Sequence, residues 1–147
     1  MKAKIRIARL LQYLLFFIPV KKNRIMFYAN NRKGYVCNPS VLMESFWLKH
    51  PGEYELIWVT RFPETCTMRT GITVVRQRSL NYFKLFLRCG IFITNDMIDE
   101  ALVKKRGQTF LTTWHGGGAY KKVGKETINE DKTFAANFDK WYKRLDY

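Results

Sequence analysis

Residues 112–120 read TTWHGGGAY, and two lysines follow directly. A histidine in such a loop can take a proton from a hydroxyl near neutral pH, because its unperturbed pKa is about 6.5. Gly116, Gly117 and Gly118 let the backbone approach a ligand without Cβ clashes and reach positive φ, so that their N–H groups can converge on an anion. Lys121 and Lys122 add positive charge just beyond. The stretch is thus a candidate for phosphate chemistry with His115 as its reactive group. It is neither a G-x-x-x-x-G-K-[ST] loop nor a G-x-G-x-x-G fingerprint. A plain turn whose imidazole only hydrogen-bonds its surroundings would use the same residue types, and chemistry alone does not separate the two readings.

A loop of this kind must be presented by something rigid. Five short apolar runs, RIMFYAN, YELIWVT, GITVVR, GIFITND and QTFLTTW, read as buried strands, the last leading straight into His115. Between them NPSVLMESFWLKH reads as a helix with Asn38 at its N-cap, Pro39 at the first helical position, and Val41, Leu42, Ser45, Phe46 and Leu48 as its buried face. SLNYFKLFLRC reads as a second helix capped by Ser79, residues 97–105 as a short third, and the terminal KTFAANFDKWYKRLDY as an amphipathic helix. Strands alternating with helices predict an α/β fold with a mostly parallel sheet. In such sheets ligands bind beyond the carboxyl ends of the strands, which is where His115 falls. Asn38, Asn95 and Asp96 share that end, although capping is the simpler account of each.

Charge divides the chain in two. Lys and Arg exceed Asp and Glu by 26 to 12, and seven of those bases lie in the first 24 residues, where there is no acid. Half of the net +14 therefore belongs to the leader MKAKIRIARLLQYLLFFIPVKKNR. Its apolar run, interrupted by Arg9 and Gln12 and ended by Pro19, is shorter than the roughly 20 residues a membrane span needs, and no small-x-small cleavage site follows. As a helix it sets Ile7, Leu10, Leu11, Leu14 and Ile18 on one side and Lys2, Arg6, Arg9 and Tyr13 on another. Such a helix can lie in the interface of an anionic bilayer, or pack on a domain. The expected organisation is an amphipathic membrane-surface helix over residues 1–22 and an α/β domain over 23–147. Cys37, Cys66 and Cys89 are too scattered for a disulfide framework or a zinc site and are expected as small core residues. No His, Cys and carboxylate cluster has metal-ligand spacing, and no metal or cofactor is expected.

TWHGGGAYKKVG, together with NPSVLMESF, ELIWVT and GIFITND in that order, resembles the amino-terminal half of the CDP-glycerol glycerophosphotransferase family, enzymes that prime and polymerise teichoic acids. The family motif is close to T-W-H-G-T-P-L-K-K-I-G, matched by Thr113, Trp114, His115, Gly116, Lys121, Lys122 and Gly124. Gly117, Gly118, Ala119 and Tyr120 replace its Thr-Pro-Leu, making the loop one residue longer. The resemblance runs from about Arg24 to Tyr147. It implies the Rossmann-like N-terminal, acceptor-side domain of a GT-B-type transferase. The implied reaction moves glycerol phosphate, or a related polyol phosphate, from a CDP donor to a membrane-linked polyol-phosphate or saccharide acceptor. His115 would be the general base or a group stabilising phosphoryl charge, with Gly116, Gly117, Gly118, Lys121, Lys122 and Asn38 as substrate-binding candidates. The resemblance puts the CDP-binding groups in a following domain, so these 147 residues alone are expected to be inactive. The implied location is the cytoplasmic face of the membrane, peripherally bound. Two other readings compete: a nucleotide-sugar glycosyltransferase on the same fold, and a non-catalytic basic module for anionic lipid or nucleic acid. Against the last, the body carries no nucleic-acid motif and its Lys and Arg are dispersed, so no nucleic-acid partner is expected.

Overall fold

The computed structural model describes residues 2–29, 35–114, 138 and 140–147. Helix α1 (Lys2–Leu14) precedes strand β1 (Lys21–Tyr28), helix α2 (Cys37–Lys49) and strand β2 (Glu55–Thr60). A 3-10 turn (Pro63–Thr65) leads to β3 (Thr73–Arg76), α3 (Leu80–Leu87), β4 (Cys89–Thr94) and β5 (Thr109–Thr112). The five strands form one sheet in the order β3-β2-β1-β4-β5, and every neighbouring pair is parallel. Order reverses between β1 and β4, as in doubly wound folds, so the expected α/β parallel architecture holds.

Parallel pairing explains the continuous apolar runs, because crossovers cover both faces of the sheet. Side chains alternate along β1: Met26 and Tyr28 join Ile57, Val59, Phe92 and Phe110 on one face, against Tyr82 and Phe86 of α3. Ile25 and Phe27 join Leu56, Trp58 and Ile93 on the other, against Met43 of α2. Ser79 caps α3 as predicted, its hydroxyl accepting from the Tyr82 N–H at 3.1 Å. Helix α2 differs from expectation. It starts earlier, with Val36 at the N-cap and no side-chain cap, so Asn38 lies inside the first turn. Its buried residues are Pro39, Ser40 and Met43, while Val41 and Leu48 face solvent. The cysteines also divide: Cys89 is buried as expected, Cys66 is half-buried and Cys37 is exposed.

Residues 97–105 form turns rather than the expected short helix. Side chains take over the backbone groups that a helix would satisfy. The Asp99 carboxylate accepts from Arg78 Nε at 2.8 Å, Arg78 Nη2 at 2.7 Å and the Ala101 N–H at 3.0 Å. Gln12, buried on α1, donates to the Ala101 carbonyl at 2.7 Å and accepts from the Val103 N–H at 3.1 Å. That pair fastens α1 to the domain, and Lys105 Nζ adds a bond to the Ile18 carbonyl just beyond it. Ile18 itself lies past the helix end and does not extend the apolar stripe. In the terminal stretch, residues 138 and 140–142 are helical, after which the chain returns along β5. Thr112 N–H donates to the Tyr147 carbonyl at 2.9 Å and Phe110 N–H to Asp146 Oδ2 at 2.7 Å, so the β5 edge is paired rather than left open.

Gly90 sits where β4 crosses the start of β1. A Cβ there would lie 2.6 Å from the Lys21 carbonyl oxygen and 2.8 Å from Lys22 Cα, both backbone. Gly90→Ala is expected to destabilise the fold by about 1–3 kcal/mol, the usual cost of overpacking, measurable as a lowered urea midpoint. At the same corner Lys21, and with it Arg24, holds the Glu55 carboxyl below its ordinary pKa. A depressed folded-state pKa contributes stability above the unfolded value of about 4.3 and loses it as pH falls through the folded one. Between pH 7 and pH 3 the fall in urea midpoint is therefore expected to be smaller for Glu55→Gln than for the parent chain. Equal falls would show that the pair does not couple folding to pH.

Candidate active site

The reversal of strand order opens a crevice beyond the carboxyl ends of β1 and β4, the ordinary ligand position in this architecture. Thr94, at the end of β4, is fully buried, and its hydroxyl accepts from the Asp96 N–H at 3.0 Å. Asp96 in turn accepts from the Met97 N–H at 2.7 Å, but no helix follows for it to cap. The ladder between β4 and β5 runs one step past β5, with Thr113 N–H donating to the Thr94 carbonyl at 2.8 Å.

Trp114 then turns the chain. Its φ is +53°, a left-handed conformation that is costly for a bulky aromatic residue and persists only when neighbours over-determine it. Three contacts do so. Its ring stacks on Phe138 at 5.9 Å and meets Trp141 edge-on at 5.4 Å. Its carbonyl accepts from Asn38 Nδ2 at 3.1 Å, and the same amide is 3.4 Å from the Thr113 carbonyl. Because α2 follows β1 and the carbonyls follow β5, the Asn38 side chain reaches across the end of the intervening β4. Cys37, the residue before Asn38, also has positive φ, at +65°. Two strained residues therefore flank one clasp at the carboxyl edge of the sheet.

Of the residues singled out from sequence, Asn38 is at this edge, as a clasp and not as a helix cap. His115, Gly116, Gly117, Gly118, Lys121 and Lys122 lie outside the described residues. His115 follows Trp114 directly in the chain.

Sequence reasoning missed the supports of this edge. Tyr35 donates to the Ser40 carbonyl or to Glu44 Oε1, each at 3.0 Å, and Arg69 Nε pairs with Glu44 Oε2 at 2.9 Å. Glu44 thus anchors the start of α2, which carries Asn38. Burial, and then the neighbouring Glu44 carboxylate, pushes the Tyr35 phenol well above its ordinary pKa, so it remains a donor. The strain at Trp114 has no sequence signal, since it arises from contacts with α2 and the terminal helical turn. Among the described residues no group of His, Cys, Asp or Glu is placed to hold a metal ion.

Comparison with known proteins adds to this geometry. The chain is 29% identical over 100 residues to the teichoic acid poly(glycerol phosphate) polymerase of Bacillus subtilis (strain 168), covering 67% of this chain and 13% of that protein. It is 29% identical over 133 residues to a teichoic acid glycerol-phosphate transferase of Staphylococcus aureus (strain NCTC 8325 / PS 47), covering 86% of this chain and 33% of that one. The chain thus spans a third or less of these relatives. Among solved structures, the wall teichoic acid polymerase TagF superposes with a TM-score of 0.78 at 23% identity, over 97% of this chain and 35% of that one. A TagF variant with CDPG gives a TM-score of 0.79 at 24% identity over 95% of this chain and 36% of that one. At that identity the likeness speaks for the fold, a Rossmann-like domain of GT-B type. The profile of the CDP-glycerol:poly(glycerophosphate) glycerophosphotransferases matches residues 10–147, nearly the whole chain, and the chain belongs to that family.

Proposed function

We propose that this chain is the acceptor-side half of a transferase that moves glycerol phosphate, or a related polyol phosphate, from a CDP donor to a hydroxyl on a membrane-linked acceptor. The observation that carries the reading is the Asn38–Trp114 clasp, which holds the residue preceding His115 at the carboxyl edge of a doubly wound sheet. In the reaction the acceptor oxygen bonds to the phosphorus that carries glycerol. The pyrophosphate P–O bond breaks, and CMP leaves with its electron pair. His115 takes the hydroxyl proton or, as imidazolium, stabilises charge on the transferring group. Gly116, Gly117, Gly118, Lys121 and Lys122 receive the phosphate. Asn38 is a positioning residue, holding the strained carbonyl of Trp114.

The membrane-linked acceptor is supported from a separate direction. Gln12 fastens one side of α1 to the domain, which leaves Ile7, Leu10, Leu11 and Leu14 exposed. Between α1 and α3 runs an apolar groove of 320 Å³ lined by Leu11, Leu15, Phe83 and Leu87, with Lys4 and Lys84 beside it. Exposed aliphatic side chains next to lysines suit the acyl boundary of an anionic bilayer. No helix among the described residues is long and apolar enough to cross one. The proposed location is peripheral, on the cytoplasmic face, as the family resemblance implies.

In the complete protein on vesicles with a polyol-phosphate acceptor, His115→Ala is expected to lower CMP release from CDP-glycerol by several powers of ten with folding intact. Equal turnover would reduce the loop to a glycine turn, and release from a nucleotide-sugar donor instead would favour the glycosyltransferase reading. The pH profile separates the two roles: a general base loses activity as pH falls below its pKa, an imidazolium as pH rises above it. Asn38→Ala is expected to lower kcat about tenfold or more with little change in KM. The 147-residue chain alone is expected to turn over no CDP-glycerol until a second domain is supplied.

Binding to phosphatidylglycerol vesicles should exceed binding to phosphatidylcholine vesicles in a sedimentation assay, and Leu11→Asp should abolish the difference. Retention of that difference by Leu11→Asp would remove α1 from the membrane contact.

A further inference from the structure

A cavity of 610 Å³ lies on the other flank of α1 from the apolar groove, between Arg9, the loop after β4 and the terminal helical turn. Lys140 and Arg144 line it, and among the described lining residues Glu100 is the one carboxylate, while Met97, Ile98 and Trp141 supply apolar surface. Among these described residues the charge balance is three cations against one acid.

The cations are poorly compensated. Arg144 Nη2 donates to the Leu102 carbonyl at 2.8 Å and Nη1 to the Asp99 carbonyl at 3.4 Å, both neutral acceptors. No carboxylate among the described residues pairs with it. Burial, and then the nearby Arg9 guanidinium, lowers the Arg144 pKa, so the two cations repel across the cavity. Neither the Arg9 nor the Lys140 side chain has an ion-pair or hydrogen-bond partner among the described residues. Asp99, the nearest buried acid, is engaged by Arg78, and Glu100 stands 4.0 Å from the same guanidinium.

Guanidinium groups recognise phosphate oxygens through paired N–H donors, and an ammonium adds a point charge. Met97, Ile98 and Trp141 add apolar surface against which a short carbon segment can lie. We infer that this cavity binds a phosphodiester flanked by small alcohol units, with Arg9, Lys140 and Arg144 as its phosphate ligands. Trp141, which lines the cavity, also packs edge-on against Trp114 at 5.4 Å. The site is therefore one side chain removed from the residue preceding His115. Resting on the functional reading above, it is the subsite for an acceptor phosphodiester.

The test is binding to the 147-residue chain, without donor or turnover. Glycerophosphoglycerol is titrated by calorimetry in one arm, and phosphatidylglycerol in phosphatidylcholine vesicles in the other. Arg9→Gln and Lys140→Gln, both at solvent-exposed residues, are each expected to weaken binding at least fivefold. Glu100→Gln should tighten it, and Lys49→Gln, on α2, should leave it unchanged. This pattern in the soluble arm identifies a polymer phosphodiester, and in the vesicle arm alone a lipid head group; either supports the site. Equal weakening by Lys49→Gln, or no binding in either arm, overturns it. A complete protein that fails to release CMP would defeat the functional reading and leave this binding result standing.

Discussion

Parallel pairing of all five strands is the constraint on which the rest of the molecule depends. A parallel strand cannot be reached by a tight turn, so each connection must cross over the sheet. The crossovers bury both faces, which is why β4 and residues 25–28 of β1 are apolar without alternation. They also bring the exit of every strand to one edge. Residues far apart in sequence, Asn38 after β1, Thr94 at the end of β4 and Trp114 after β5, consequently become neighbours there.

That edge is held by polar side chains rather than by regular structure. Asp99 organises the segment after β4 by accepting from Arg78 and from a backbone N–H. Gln12 makes the same kind of exchange from α1, 89 residues away from Ala101 in the chain. Buried polar groups are tolerable only when satisfied, and here their partners are backbone groups that would otherwise be orphaned. The consequence is that α1 is part of the domain while its aliphatic stripe remains free. A helix that both docks and exposes leucines suits the proposed bilayer contact, in which it would orient the carboxyl edge of the sheet relative to the membrane.

The strained backbone at Cys37 and Trp114 belongs to the same logic. Left-handed conformations at non-glycine residues persist where packing on several sides specifies them. Phe138 and Trp141 press on Trp114 from the terminal helical turn while Asn38 fixes its carbonyl. Strand, helix and terminal segment thus converge on the residue that precedes His115, and the same Trp141 lines the cationic cavity. Trp114 and the candidate phosphodiester site share one aromatic wall.

Periodicity and composition by themselves determined the α/β class, the five strands and the Ser79 cap, because each rests on neighbours within a few residues. The motif around His115 carried the family resemblance in the same local way. Other features depended on contacts between distant segments. Asn38 reads locally as an N-cap, but the helix begins at Cys37 with Val36 as its cap, and the Asn38 amide is taken by the carbonyls that follow β5. Residues 97–105 have helical spacing, yet Asp99 and Gln12 supply alternative partners for their backbone. Val41 and Leu48 fit a helical face, although the sheet lies against Ser40 and Met43 instead. Arg144 has the composition of a solvated base, but the fold half-buries it beside Arg9 with no carboxylate partner among the described residues. Local chemistry fixes the strands and the main helices; only the assembled sheet decides which side chains meet at its edge, because those partners are brought together by crossovers and not by sequence.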